Sequence, residues 1–272
     1  MTHPSLAFIG GGNMAGAIIS GLLRSGWPAA AISVVEPMPE QRARIQAAHP
    51  GLRVLAAADA RLGEAAIVVW AVKPQSFVQA AAPCAAFVSA ALQLSVMAGI
   101  RCDAIVRATG SPRVVRAMPN TPALIGQGIA GLFARPQVNA AERVEIERVL
   151  APTGATLWVE KESDLDAVTA LSGSGPAYVY YFVEAMMDAA EQMGLSREQG
   201  RRLALATFAG ATALAQQSEE PPEVLRERVT SKGGTTHAAL ESMRSDAIGA
   251  AIVRALRAAE QRARELGDEF GA

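Results

Sequence analysis

Leu6 to Ile9 is a short apolar run that ends in three glycines, Gly10 to Gly12, and gives way to a helical pattern reaching Leu23. An apolar run closed by turn residues and succeeded by a 3.6-residue period reads as strand, tight turn and helix. The alternation continues, with strands predicted at Ala31 to Val35, Arg53 to Leu55, Ile67 to Val72, Leu92 to Met97 and Arg113 to Met118, and helices between them. The nearly unbroken apolar stretch from Ala65 to Val72 suits a central parallel strand buried on both faces. Ile125 to Phe133 and Thr156 to Val159 are predicted to finish the sheet as a hairpin-like extension, with a helix from Ala140 to Leu150 between them.

Beyond about Lys161 the strand pattern ceases, and the remaining segments read as helices: one opened by Asp164, then Tyr178 to Met193, Ser196 to Gln216, Pro222 to Thr230, Thr235 to Arg244 and Asp246 to Leu266. Tyr178 to Met193 is apolar through most of its length, which predicts burial on nearly all faces. An all-helical domain built around such a helix is expected to complete its core with a second subunit. The arginine- and glutamate-rich stretch from Arg254 to Glu265 reads as a solvated face.

Composition narrows the class. The 272 residues are 50% hydrophobic and 19% charged with a net charge of −1, which describes a globular chain with material for a sizeable core. So even a balance offers no electrostatic case for nucleic acid or a membrane surface as partner, and no long uncharged apolar window predicts a membrane span. The two cysteines, Cys84 and Cys102, have neither metal spacing nor disulfide-scaffold density, and the N-terminus has no secretory pattern. The expected location is therefore the cytoplasm. His3, His49 and His237 are too scattered for a metal site, so none is expected.

Candidate chemistry starts at the first turn. Gly10, Gly12 and Ala15 form the G-x-G-x-x-A pattern between a strand and a helix, where glycines permit a tight turn and close approach of a pyrophosphate to backbone. Glu36, at the end of the next strand, is placed to accept from an adenosine ribose 2′-hydroxyl, which favours NADH; Arg42 and Arg44, one helical turn on, can instead reach the 2′-phosphate of NADPH. Lys73 comes after a strand end at the rim where open α/β sheets bind ligands. It is read either as a cofactor contact or as a solvated lysine at a helix start. Asn120, held between Pro119 and Pro122, sits at the same rim, either beside the nicotinamide or as a structural turn residue. These features make the fold class an α/β N-terminal Rossmann-type dinucleotide-binding domain over 1–161, followed by an all-α C-terminal substrate-binding and dimerisation domain over 162–272.

In the second half, Val229 to Leu240 places Ser231, Gly233, Gly234, Thr235 and Thr236 at a break between two helices. Adjacent glycines end one helix and threonines open the next, so free backbone N–H groups lie beside hydroxyls. The stretch is either a carboxylate seat at a helix N-terminus or an ordinary helix corner with a threonine cap.

Taken together, Phe8 to Ala15 (FIGGGNMA), Ala71 to Pro74 (AVKP), Met118 to Gly126 (MPNTPALIG), Ala170 to Tyr178 (ALSGSGPAY) and Val229 to Leu240 (VTSKGGTTHAAL) resemble the pyrroline-5-carboxylate reductases, spread over almost the whole chain in that family's order. The last stretch is highly specific; the first is shared by many dehydrogenases. Two departures stand in it: Lys232 where the family commonly has proline, and His237 where it often has an aliphatic residue. The resemblance implies reduction of 1-pyrroline-5-carboxylate to L-proline by hydride transfer from NADPH or NADH. It implies that Ser231, Gly233 and the Gly234, Thr235 and Thr236 amides hold the substrate carboxylate, with the Thr236 hydroxyl on the ring nitrogen. Asn13, Met14, Val72 and Pro74 join Gly10, Gly12, Ala15, Glu36, Lys73 and Asn120 as cofactor-binding positions. Glu219 matches a family position near the substrate, and reads equally as a surface glutamate of the Ser218 to Glu220 loop. The resemblance further implies homodimers paired through the helical domain and stacked into a larger ring such as a decamer.

Rival readings are a reductase of a related cyclic imine, a 3-hydroxyacid-type dehydrogenase and a non-catalytic nucleotide sensor. The dehydrogenase needs a basic residue after the glycine segment, and Ser172 to Tyr181 contains neither lysine nor histidine. A sensor predicts a damaged substrate seat, whereas Ser231, Gly233, Gly234 and Thr236 are all present.

Overall fold

A computed structural model describes residues 3–271 of the protein. In chain order its elements are β1 (Leu6–Ile9), α1 (Asn13–Arg24), β2 (Ile32–Val35), α2 (Pro39–Ala48), β3 (Arg53–Leu55), β4 (Ile67–Trp70), α3 (Phe77–Ala81), α4 (Ala85–Val88), β5 (Leu92–Ser95), α5 (Cys102–Thr109), β6 (Val114–Met118), β7 (Gly128–Ala134), α6 (Ala140–Leu150) and β8 (Gly154–Trp158). Then come α7 (Asp164–Val168), a π-helical turn (Thr169–Gly173), α8 (Gly175–Gln192), α9 (Arg197–Gln217), α10 (Pro222–Arg228), α11 (Thr235–Ser245) and α12 (Ile248–Gly271).

The strands form one sheet in the order β3-β2-β1-β4-β5-β6-β7-β8. The pairs from β3 to β6 are parallel, β7 runs antiparallel to β6, and β8 is parallel to β7. The expected hairpin-like extension is therefore corrected: the antiparallel partner of β7 is β6, and α6 carries the chain from β7 across to a parallel β8. Two parallel strands need such a crossover, and a capping box at the start of α6, where Asn139 and Glu142 satisfy each other's backbone N–H groups, fixes that helix. β4 is buried along its whole length, as the apolar run predicted, and ends at Trp70 rather than Val72.

Alternate strand residues feed two hydrophobic layers. Leu6 and Phe8 enter one with Ile18, Ile67 and Val115, while Ala7 and Ile9 enter the other with Val68, Trp70 and Phe77. Strand order reverses between β1 and β4, which opens a crevice at the carboxyl ends of those strands.

Two compact units result. The first runs to Ser174 and takes in the chain again from Ala259; the second is Gly175–Ala258. α7 belongs with the sheet because Val168 fills the space that glycine leaves at Gly131 of β7, and because Asp166 accepts two bonds from Arg101, at 3.0 and 2.9 Å. The last turns of α12 also rest on this unit: Phe270 packs into the second layer, and the Arg101 guanidinium leaves Gly267 no room for a Cβ. The solvated face expected for Arg254 to Glu265 is thus interrupted by a buried Ala263.

In the second unit α8 and α9 pair antiparallel through a short turn at Gly194, and Ser196 and Gln199 form a capping box on α9. Within the single chain only Val183 and Ala190 of α8 are buried, so the expected all-round burial of that helix is not met inside one subunit. Val179, Tyr180, Tyr181, Phe182 and Met186 all face outward.

Candidate active site

The crevice is shaped by the turn after β1. Gly10 adopts φ +94°, and a Cβ there would lie 2.8 Å from the Ala71 carbonyl oxygen and 2.9 Å from Val72. Only glycine combines that conformation with that approach. Gly11 is pressed against Ile45, and its N–H donates to Glu36 Oε2 at 3.0 Å. Gly12 is the opposite case, since a Cβ on it would meet nothing within 4 Å. It is the N-cap of α1 and offers no side-chain cap, so the first N–H groups of the helix keep their donors for a ligand. Ala15 is fully buried under the helix, which lets α1 close on the sheet.

Glu36 is 7% exposed. Its second oxygen accepts from the Met38 N–H at 3.0 Å, so the carboxylate closes two turns at once. Arg42 is not aimed at the crevice: its Nη1 donates to the carbonyls of Glu36, at 3.0 Å, and Pro37, at 2.7 Å. A cavity of about 720 Å³ opens from here, lined by Gly10, Gly12, Asn13, Glu36, Val72 and Lys73 among others. Met14, Ala15, Pro74 and Asn120 do not line it. Met14 and Ala15 instead pack α1 on the hydrophobic layer beneath. Cys84 also lies in the wall, and burial pushes its thiol up to about 11, so it stays protonated and offers no nucleophile.

Asn120 is tied into its turn by its side-chain amide. Its Oδ1 accepts from the Ile129 N–H at 3.0 Å and its Nδ2 donates to the Ser172 carbonyl at 3.2 Å, so both ends of the amide are taken by backbone. Sequence reasoning missed Gln41, which lines the cavity and donates to the Gly11 carbonyl at 2.6 Å. Only its position one turn into the helix after Glu36 hints at the role.

An adenine dinucleotide fits these residues. The uncapped start of α1 and the open Gly12 suit a pyrophosphate, Glu36 suits a ribose diol, and a volume of about 720 Å³ is within the range of cofactor pockets.

In the second unit, α10 ends at Arg228, and Thr230 Oγ1 donates back to the Arg226 carbonyl at 2.6 Å. Gly233 then takes φ +76°, a conformation that glycine adopts without strain, and the chain turns so that Gly234 becomes the N-cap of α11. A Cβ on Gly234 would lie 2.6 Å from Ser231 Oγ, so the serine hydroxyl sits against the helix start. The first intrahelical bond is donated by Ala238, to the Gly234 carbonyl at 3.1 Å, which leaves the N–H groups of Thr235 to His237 without an intrahelical acceptor. The hydroxyls of Ser231 and Thr236 have no partner among the described residues. α1 and α11 thus begin on glycines with open donors, whereas α6 and α9 begin on reciprocal capping boxes. Lys232 is exposed and His237 half-buried. In the loop before α10, Glu219 is exposed, while the neighbouring Glu220 is paired with Arg228.

Among the described residues no group of histidine, cysteine and carboxylate side chains could hold a metal ion, and no helix is long and apolar enough to cross a membrane.

Comparison with known proteins adds an independent line. Residues 162–266 match the family description "pyrroline-5-carboxylate reductase dimerisation", and residues 5–99 match "NADP oxidoreductase coenzyme F420-dependent". The chain is 46% identical to the pyrroline-5-carboxylate reductase of Pseudomonas aeruginosa over the full length of both. It is similar to a solved pyrroline-5-carboxylate reductase from Coxiella burnetii, at 35% identity and a TM-score of 0.89, covering 97% of this chain and 99% of that one. A Plasmodium falciparum pyrroline carboxylate reductase solved with NADP bound superposes with a TM-score of 0.86 at 28% identity, over 98% of this chain and 99% of that one.

Proposed function

The chain belongs to the pyrroline-5-carboxylate reductase family, and from that premise we propose how its residues divide the work. The reaction is reduction of 1-pyrroline-5-carboxylate to L-proline with NAD(P)H, the last step of proline biosynthesis. When bound, the nicotinamide supplies the hydride that adds to the ring carbon of the C=N bond. The protein's part is to hold, orient and polarise.

In the first unit, the N–H groups at the start of α1 hold the pyrophosphate across the open Gly12, and Glu36 accepts from the adenosine ribose. Gly10, Asn13, Val72 and Lys73 line the same cavity. Met14, Ala15, Pro74 and Asn120 serve by shaping its frame. In the second unit, Ser231 and the N–H groups of Thr235 and Thr236 hold the substrate carboxylate at the start of α11, where the helix dipole favours negative charge. Gly233 and Gly234 give that turn its form. The Thr236 hydroxyl bonds the ring nitrogen and, once hydride has reached carbon, relays the proton that turns the resulting amine into the ammonium of proline. A threonine hydroxyl is too weak an acid to create the iminium alone, so that charge is supplied by protonation in solution and kept oriented here. Glu219 lies in the loop before α10 and is proposed near the substrate.

The observation that carries this reading is the Ser231 to Thr236 turn, whose open N–H groups and two unpartnered hydroxyls are what a carboxylate beside a ring nitrogen requires. Thr236→Ala is expected to keep cofactor affinity and slow turnover by about 10- to 1,000-fold, the range for loss of one positioned donor. Initial rates of NADH and NADPH oxidation with 1-pyrroline-5-carboxylate, run beside a panel of 3-hydroxy acids with the oxidised cofactors, check both activity and variant. An unchanged kcat would remove Thr236 from the mechanism.

The enzyme is a homo-oligomer, as its dimerisation region requires. We further propose a decamer built from dimers, and a cytoplasmic location, which the two free and buried cysteines support.

A further inference from the structure

A second cavity, of about 330 Å³, opens between α1, α2 and the turn at Leu124. That is within the range of small-molecule sites, about 300–1,000 Å³. Arg24, Arg44 and His49 all line it, and among the described residues no acidic side chain does. Neither arginine has a partner among the described residues. Ser20 Oγ lies 3.0 Å from His49 Nε2, which sets the imidazole ring in the wall. Ile45 and Leu124 contribute an apolar surface beside these groups. Clustered cations without counter-charge raise the local concentration of anions, and guanidinium groups bond oxyanions in pairs.

We propose that this groove binds a small organic phosphate monoester, with its dianion between Arg24, Arg44 and His49 and its apolar body on Ile45 and Leu124. It is a separate site from the dinucleotide cavity, because Ser20, Arg24, His49 and Leu124 line only the groove. The two share Gly12, Asn13, Gln41 and Arg44 as a common wall.

Phenyl phosphate is a suitable probe, titrated calorimetrically into the intact enzyme at saturating NADH so that the larger cavity is filled. Arg24→Ala and His49→Gln are each expected to weaken its binding by about tenfold or more, the scale of one lost charge-assisted bond. Ser20→Ala, which only releases the ring, is expected to weaken it less. Phenol is expected not to bind, and inorganic phosphate to bind more weakly than the ester. Thermal midpoints, NADH affinity and imine reduction are expected to match wild type in all three variants, which separates this test from that of the reductase assignment. The proposal is overturned if no heat is seen, if the variants bind as wild type does, or if NADH displaces the probe. It is equally overturned if phenol binds as tightly as the ester or if inorganic phosphate does.

Discussion

At the scale of single residues, Glu36 sets the choice between the two cofactors. Its carboxylate is buried, fixed by the Gly11 and Met38 N–H groups, and among the described residues no cation is bonded to it. A ribose 2′-hydroxyl can donate to such a group, whereas a 2′-phosphate would set two like charges against each other in a poorly hydrated wall. Arg42, which could have relieved this, is held by two backbone carbonyls, and the cations in the cavity wall, Arg44 and Lys73, are not bonded to Glu36. NADH is therefore expected to be preferred. Glu36→Gln retains an acceptor for one turn while removing the charge, so the fold is expected to persist. The ratio of kcat/KM for NADH over NADPH is expected to fall about 10- to 100-fold, the worth of a hydrogen bond to a charged group together with relieved repulsion. Steady-state kinetics with both cofactors provide the check, and an unchanged ratio would sink the ribose assignment.

At the scale of elements, the first turn separates folding from binding within three residues. Gly10 has a left-handed φ and no space for a Cβ, so Gly10→Ala is expected to cost about 1–3 kcal/mol of stability, seen as a lower denaturant midpoint. Gly12 has an ordinary φ of −74° and open space, so Gly12→Ala is expected to leave that midpoint unchanged and to weaken dinucleotide binding in a direct titration. The reverse pattern would dissociate the open space from the pyrophosphate. Both glycines were legible as one motif, yet their division of labour was not, because it depends on the strand and helix that each meets. The parallel strands were legible for the reason that buried runs such as Ile67–Trp70 carry no polar residue. The direction of β7 was not, since pairing is decided by crossovers that local pattern does not encode. The bonds of Asn120 to the Ile129 and Ser172 backbone groups likewise could not be read from the sequence, because both partners are brought to it by the fold.

At the scale of the whole molecule, the second unit is a folded surface awaiting a partner. α8 buries two side chains within the chain while Tyr181, at 72% exposure, and Leu203 of α9, at 57%, stand outward with Val179, Phe182 and Met186. Apolar surface on this scale marks an interface, and here it coincides with the region matched to dimerisation. The same feature explains why sequence reasoning expected α8 to be buried all round, since hydrophobicity reports burial in the assembly and not in one subunit. A carboxylate placed in such an interface without a partner costs several kcal/mol, enough to shift assembly. The double variant Tyr181→Glu with Leu203→Glu is expected to run as a smaller species than wild type in light scattering coupled to gel filtration. NADH binding is expected to survive, because the dinucleotide cavity is lined only by residues from Ile9 to Cys84, all in the first unit. An unaltered mass would move the interface elsewhere on the molecule. A lower mass with NADH binding lost would mean instead that the sheet unit depends on assembly for its own fold.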